Sequence, residues 1–590
     1  MANMKLLRIA LAALTANSVS AWGTGPDPDD VRNWVIIKGL LWCWLAIVGC
    51  VVIHSLVLWA VRYIRTVSCL NNNTQRYFAR PTYWYGDIKR YFLDAPLFRT
   101  RHHREFKLSA AIDVGTLPSR LQTTFLVGYV AAAIAMTCVS IDWSKNRIHI
   151  EEQLLKRTGF MAVMNMLPLF LLAGRNNPLI LLTGITFDTY NLIHRWLGRI
   201  VVAEAIVHGC MWLAEKVEEG GWEAAAVAEK HGSFILSGTI GTCAITAILF
   251  QSPSIVRHAF YETFLHTHIL LAILALAAVW VHLKDFALMK SFIKGCIAIW
   301  AFDRGARILR ILYRSGFSTK ADIEVLPGDA VKITVKMPRP WKFQPGSHAY
   351  VYLPAMSWHM NHPFTVAWSD EQDEIEYEKG LVVSQQDVLQ MKKQTMSFIV
   401  RRRTGFTEKL YRKADQNSTG RLTTSAFVEG PYGSQSLESY GTVVLFAAGV
   451  GITHQVPHVR ELVKGYGNGS VATRKVVLVW IIQSPEHLEW IRPWMTTILG
   501  LPKRREVLKI LLFVTRPKST KEIHSPSSSV QMFPGKPNIQ ALIDQEVEQS
   551  IGAIGVTVCG VGALADDVRR ASRMWMGKVN IDFVEESFSW

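Results

Sequence analysis

The sequence predicts a multidomain chain in three parts: an α-helical bundle that spans a membrane, then a small β-barrel, then an α/β domain built on a parallel sheet. Three observations carry this reading. Long apolar runs fill the first half, short alternating strands broken by Pro and Gly begin after Gly316, and from about Gly441 buried-strand runs alternate with helical patterns. The 590 residues are 49% hydrophobic with a formal net charge of +17, from 64 Lys and Arg against 47 Asp and Glu. Beside so much apolar chain, that charge reads as basic cytosolic loops and membrane lipid as the partner, not nucleic acid. The eight cysteines show no C-x-x-C spacing and most lie in apolar segments, so neither a disulfide framework nor a thiolate metal site is indicated.

The first stretch, "MANMKLLRIALAALTANSVSAW", sets Lys5 and Arg8 before a short apolar run and small residues at Val19-Ser20-Ala21, the pattern of a signal peptide over residues 1–21. Apolar stretches suited to spanning helices follow near 34–60, 121–141, 159–173, 187–213, 233–250, 264–283 and 291–312. The first, within 34–62, stands apart as an additional N-terminal helix, and the other six make a bundle over 121–314. Between them lies a connector, 63–120. From Arg62 to Lys107 it carries ten Lys or Arg against Asp87, Asp94 and Glu105, and is expected in the cytosol. The loop from Ala214 to Gly232, with five Glu against Lys216 and Lys230, is expected outside. From an outer N-terminus, seven spans then deliver the C-terminal half to the cytosol, and the Asn72-Asn73-Thr74 sequon faces the cytosol too. Strands such as "DIEVLPGDAVKITV" and "GSHAYVYLP" build the barrel over 317–435, and "VVLFAAG", "KVVLVWII", "ILLFVT" and "VTVCG" build the parallel sheet over 440–590. The segment "HSPSSSVQMFPGKP" reads as a flexible loop.

Histidines mark the first site. "NLIHRWLGRIVVAEAIVHGC" places His194 and His208 fourteen residues apart in an apolar helix. Fourteen residues turn a helix by about 1400°, about 40° short of four full turns, and rise about 21 Å, so the two share a face near opposite sides of the bilayer. "HILLAILALAAVWVH" repeats the spacing with His268 and His282. Two parallel helices then offer His194 with His268 at one level and His208 with His282 at the other, each pair suited to hold one haem iron between two imidazoles. His266 is sixteen residues from His282 and rotates off that face, and His54 lacks a partner at the spacing. Gly198 and Gly209 are expected to let a porphyrin approach the backbone. Arg175, Arg195 and Arg199 fit equally as positive-inside anchors and as partners of haem propionates.

The second site lies in the soluble half. "NHPFTVAWS" resembles the flavin signature of ferredoxin-reductase-like barrels, which implies FAD along His362, Pro363, Phe364 and Thr365, with the Thr365 hydroxyl near the isoalloxazine and His362 toward the diphosphate. In "RRRTGFTEKL", Arg402, Gly405, Phe406 and Thr407 set a cation and free backbone N–H groups before a helix, a setting for pyrophosphate. A strand then ends in Gly449-Val450-Gly451 and a helix begins at Ile452 and Thr453, so small residues let a nucleotide phosphate reach the helix start. Cys559, Gly560 and Gly562 end another strand at the carboxyl edge of the sheet, where such folds bind ligands. The terminal Trp590 is placed to cover the flavin until nicotinamide displaces it.

Taken together, "LAGRNNPL", "HRWLGRI", "HPFT", "GVGIT", "EHLEWI" and "EESFSW" resemble the fungal ferric-chelate reductases, kin of the NADPH oxidases, over nearly the whole chain. The resemblance implies two b-type haems, FAD and NADPH as cofactors. Electrons would run from NADPH through flavin and the inner haem to the outer haem at His208 and His282, and out to ferric chelates or siderophores, with cupric ion as a second acceptor. It further implies a plasma-membrane location with the FAD and NADPH domains in the cytosol, and a functional link to an iron permease/oxidase uptake system. Two positions depart from the family. Gln483 and Lys536 stand where Arg is usual near the nucleotide 2′-phosphate, with Arg516 as a further cation. The alternatives are a superoxide-generating NADPH oxidase using the same haems, and a transporter or scaffold with a degenerate reductase tail.

Overall fold

Among the described residues, ten α-helices run from Pro28 to Ser315, the long ones because the apolar residues there come in runs too long for strands. They are α1 (Pro28–Cys69), α2 (Tyr83–Ile88), α3 (Arg120–Cys138), α4 (Arg147–Ala173), α5 (Pro178–Thr183), α6 (Phe187–His231), α7 (Ser233–Gln251), α8 (Ser254–Ala259), α9 (Tyr261–His282) and α10 (Ala287–Ser315). The fold is that of a computed structural model and is described over residues 28–107, 113–339, 341–357, 360–370, 395–517, 525 and 527–586; the expected signal peptide and Trp590 lie outside them. The chain divides into two units. One comprises Met1–Leu56, Lys107–Val114 and Thr124–Ala306, the other Val57–Phe106, Gly115–Thr123 and Arg307–Trp590.

Among the described residues, six helices are long and apolar enough to cross a membrane: α1 from Val31, α3, α4, α6, α7 and α9. The seventh expected span is helical, as α10, but Lys290, Lys294, Asp303, Arg304 and three further cations, Arg307, Arg310 and Arg314, keep it out of that set. Boundaries differ from the sequence reading, beginning with α1, which runs Pro28–Cys69 instead of 34–60 and so takes in the start of the connector. α4 starts at Arg147 instead of 159, because the Asn146 side chain accepts from His149 N–H and caps the added turns. The stretch after 213, expected as a loop, continues helical to His231, broken only at Gly220 and Gly221. Its Ala- and Glu-rich composition favours helix, and the glycine pair supplies the break. Met161, Met164, Val201, Leu276 and Ile293 form the core of this unit.

The second unit holds two β systems. Outside those two systems, β1 (Phe106–Lys107) and β2 (Asp113–Gly115) form a short ribbon whose residues fall in both units. The barrel uses β3 (Lys320–Leu326), β4 (Ala330–Lys336), β5 (His348–Tyr352), β6 (Asn361–Thr365), β7 (Trp368–Asp370), β8 (Thr395–Arg401), β9 (Arg421–Ser425) and β10 (Phe427–Tyr432), with α11 (Phe406–Asp415). They pair in the orders β7-β8-β4-β3-β9 and β10-β5-β6 around Ile323, Ile333, Phe398 and Leu410. The parallel sheet runs β14-β13-β12-β11-β15-β16. Its strands are β11 (Thr442–Ala448), β12 (Lys475–Ile482), β13 (Leu508–Val514), β14 (Val530–Pro534), β15 (Ile554–Cys559) and β16 (Ile581–Glu586). Alternate residues of each strand feed opposite faces. Val443, Leu445 and Ala447 pack toward α12 (Ile452–Asn468) and α13 (Arg492–Leu499), with α14 (Arg504–Val507) below. Val444 and Phe446 pack toward α15 (Ile539–Glu548) and α16 (Gly562–Trp575). β14 corrects the sequence reading: part of the segment taken as a flexible loop is the edge strand, Ile510–Val514 pairing with Val530–Pro534.

The basic connector is structured as well. Lys89 Nζ donates to Asp582 Oδ1 at 2.5 Å, and Arg65 reaches Ser439 Oγ at 2.7 Å while lying 4.2 Å from the Tyr440 ring centroid. Arg474 donates to the Leu70 carbonyl, and Asp566 accepts the backbone N–H groups of His102, His103 and Arg104. Cations that mark the segment for one side of a membrane thus also bind it to the α/β domain.

Candidate functional site: paired histidines and a flavin-nucleotide module

α6 and α9 bring the four histidines together in the two expected pairs. The ring centroids of His194 and His268 are 6.3 Å apart, and those of His208 and His282 are 6.1 Å apart. Two imidazole nitrogens each about 2.0 Å from one metal ion put their ring centroids about 6.3 Å apart, so both pairs have the separation of bis-imidazole ligation. The hydrogen bonds agree. Nδ1 of His194 lies 2.9 Å from the Leu169 carbonyl, Nδ1 of His208 2.8 Å from that of Leu155, and Nδ1 of His282 2.8 Å from that of Phe234. A carbonyl only accepts, so Nδ1 carries the proton in each ring and Nε2 keeps its lone pair for a metal. Leu155 and Leu169 are themselves fourteen residues apart on α4, so one helix orients both histidines of α6. The Nδ1 of His268 is buried with no partner among the described residues.

Sequence reasoning missed what makes room for these rings. A Cβ on Gly159 would lie 2.9 Å from the His208 ring, and one on Gly238 2.8 Å from His282 Nδ1. Each glycine sits four residues after the carbonyl that its histidine seeks, Leu155 or Phe234, so the imidazole enters where a side chain would stand. By contrast Gly198 and Gly209 face Leu169 and Thr242, with nothing closer than 3.8 Å to an added Cβ. His266 turns back to the Glu262 carbonyl of its own helix and is exposed, as is His54. Of the arginines, Arg199 lies over Trp196, and Nε of Arg195 is buried without a partner among the described residues. A polar set, Tyr129 of α3 donating to Asn165 of α4 and Asn165 to both carboxylate oxygens of Glu204 of α6, lies in the same unit.

In the barrel, β6 carries Asn361–Thr365, and His362 stacks on Phe406 at 4.1 Å, joining the two motifs expected to hold flavin. Thr365 pairs with His348 across β5, and the buried Ser347 hydroxyl beside it has no partner among the described residues. That leaves a free hydrogen-bonding group beside the strand expected to line the flavin. Gly405, at φ 79°, is the N-cap of α11, a conformation that favours glycine. Thr407 Oγ1 accepts from Arg403 N–H at 2.9 Å. Arg402, expected at the pyrophosphate, is instead engaged by Glu408 at 2.6 Å and Asp329 at 3.3 Å. The neighbour Arg401 points toward Gly449, 3.8 Å from where its Cβ would be.

The residues expected to meet the nucleotide gather at the carboxyl edge of the parallel sheet. Gly451 packs so tightly against the Cys559 carbonyl that no Cβ fits, and Gly560 meets Ala448 in the same way, which brings the ends of β11 and β15 together. Ile452 is fully buried, and the Thr453 hydroxyl donates to the Val450 carbonyl, so it caps its own turn. Gln483, Arg516 and Lys536 are exposed and follow the adjacent strands β12, β13 and β14; Arg516 N–H donates to the Gln483 carbonyl at 3.0 Å. Burial pushes the Cys559 thiol well above its usual range, with Glu586 and Glu585 adding to the effect, so it stays neutral. The bare edge of Gly562 meets the backbone of His103 and Arg104, so there the connector sits against the glycine.

Comparisons with known proteins agree in order and extent. Residues 158–279 match a family model described as "Ferric reductase like transmembrane component", 316–436 an "FAD-binding domain", and 440–573 a "Ferric reductase NAD binding domain". Ferric reductase transmembrane component 3 of Saccharomyces cerevisiae is 27% identical over 542 residues, covering 85% of this chain and 71% of the relative. Ferric/cupric reductase transmembrane component 1 of Candida albicans is 27% identical over 545 residues, covering 85% of this chain and 67% of its own length. The chain is therefore a homologue of the fungal ferric reductase transmembrane components, built from a ferric-reductase-like membrane component, an FAD-binding domain and a ferric reductase NAD-binding domain in that order.

Proposed function

We propose that this protein is a transmembrane ferric-chelate reductase of the plasma membrane, carrying electrons from cytosolic NADPH through FAD and two b-type haems to extracellular Fe(III) chelates, with Cu(II) as a second acceptor. The observation that carries it is the two histidine pairs at 6.3 and 6.1 Å, fourteen residues apart on each of two helices long and apolar enough to cross a membrane. Bound FAD and haem supply the change from a two-electron donor to one-electron steps, and the protein supplies position and tuning. His194 and His268 hold the inner iron and His208 with His282 the outer one, the rings of His194, His208 and His282 fixed by their Nδ1 hydrogen bonds to present Nε2. Thr365, His362, Pro363, Phe364, Gly405, Phe406 and Thr407 line the flavin, with Arg401 taking the anionic contact that Arg402 gives to Glu408. The nicotinamide nucleotide lies along Gly449, Gly451, Cys559 and Gly560, its 2′-phosphate toward Gln483, Arg516 and Lys536.

The N-terminus is placed outside and both soluble domains in the cytosol, following the connector's charge. The chelates are siderophores or smaller ferric complexes, whose product iron an iron permease/oxidase system takes up. The test is to supply NADPH to the purified, haem- and flavin-loaded protein in liposomes with a ferric chelate and dissolved oxygen both present. The account expects two ferric ions reduced per NADPH with little oxygen uptake. Oxygen uptake matching NADPH oxidation, with superoxide formed and the chelate spared, would mark it as an oxidase.

A further inference from the structure

The connector and the last strand meet in a cluster that the electron path does not use. His102, His103 and Glu585 each bring one ligand atom, all within 4.8 Å of one another; among the described residues no other trio of His, Cys, Asp or Glu comes together in this way. His103 Nε2 lies 3.3 Å from Glu585 Oε2, and the two imidazole rings stand edge to face at 4.5 Å. Asp566 fixes the loop by accepting three successive backbone N–H groups, so both rings are held against α16 and β16.

An ordinary ion pair does not account for this cluster. Glu585 already has a cation, Arg569, on Oε2. Its other oxygen, Oε1, is buried with no partner among the described residues, and so is Nδ1 of His102. Both side chains are more than nine-tenths buried, His102 at 8% exposure and the Glu585 side chain at 6%. Leaving a lone pair or a carboxylate oxygen unsatisfied in such a place is costly, so two in one spot call for a missing partner.

We propose that His102, His103 and Glu585 form a site for one divalent first-row transition cation of the Zn²⁺ or Fe²⁺ kind, tying the connector to the last strand. Two imidazoles and one carboxylate are a common donor set for such ions, and a fourth position is left for water. Ligands about 2.1 Å from a tetrahedral ion lie about 3.4 Å apart, so the trio closes by about 1 Å on binding. Arg569 stays on Oε2 and orients the carboxylate as an outer partner, at some cost in affinity because it is also a cation. The site makes no demand on the reductase reading.

The test uses the full-length, untagged protein loaded with haem and FAD, stripped of loosely held metal, and Zn²⁺ alone as the probe. The expected result is one Zn²⁺ bound per chain beyond the haem iron, with affinity falling at least tenfold in His103→Gln and in Glu585→Gln while haem and FAD content are unchanged. Zn²⁺ is also expected to slow tryptic cleavage between Arg99 and Lys107 in the unaltered protein and not in the variants. Should one variant fail to load its cofactors, His102→Gln replaces it in the same measurement. No Zn²⁺ uptake by the unaltered protein, equal uptake by all the variants, or uptake that leaves the connector's cleavage rate unchanged would each overturn the proposal.

Discussion

At the scale of single residues, the most consequential atoms are ones that are missing. Gly159 and Gly238 leave the space through which His208 and His282 reach a backbone carbonyl. In Gly159→Ala the new Cβ would lie 2.9 Å from the His208 ring, closer than Cβ contacts normally come. Overlap of this kind costs about 1–3 kcal/mol when the neighbour cannot move away, and moving the ring would break the iron bond proposed for it. The expected outcome is that one haem changes from low spin to high spin by electron paramagnetic resonance while the other keeps its signal. Gly209→Ala, with nothing within 3.8 Å, is expected to leave both unchanged; equal effects of the two substitutions would contradict the steric account. The histidines were legible in sequence because a spacing of fourteen, repeated on two apolar helices, is a periodicity of one helix at a time. The glycines were not, because their reason lies on a neighbouring helix whose register no local pattern gives. Arg402 shows the same limit, since its pairing with Glu408 depends on how the turn at Gly405 folds back.

At the scale of elements, the sheet was legible where strands are central and obscure where they are not. β11, β12, β13 and β15 are nearly continuous apolar runs because both faces are covered. β14 is an edge strand after a Ser- and Pro-rich stretch, and its "VQMFP" carries too little apolar pattern to stand out from a loop. The connector was read as basic loop because charge reports a side of the membrane, whereas its docking depends on partners such as Asp566 and Asp582, hundreds of residues away. α12 carries a pH prediction. Burial, and the neighbouring carboxylate of Glu438, push Glu461 up to about 7. A carboxyl raised above its unfolded value of about 4.3 stabilises the fold fully below that value, and the contribution is lost as pH rises through about 7. Glu461→Gln is therefore expected to raise the temperature of flavin release by about 2–4 °C at pH 8, and to leave it unchanged at pH 4, since Glu461 is only half-buried. A larger gain at pH 4 than at pH 8 would reverse the sign and refute the assignment.

At the scale of the whole molecule, three modules follow one another along the chain, and the function proposed for them rests on there being two haems, one above the other. FAD and NAD(P) are implied by whole domains. The haem number rests on four side chains and two ring separations. The most direct measurement is the haem-to-FAD ratio of the purified protein, set beside the ratios of His208→Ala and His194→Ala. The account predicts two haems per FAD in the unaltered protein and one in His208→Ala, with the surviving haem still reduced by NADPH and ferric-chelate reduction lost. A ratio of one in the unaltered protein, or of two in His208→Ala, would contradict it.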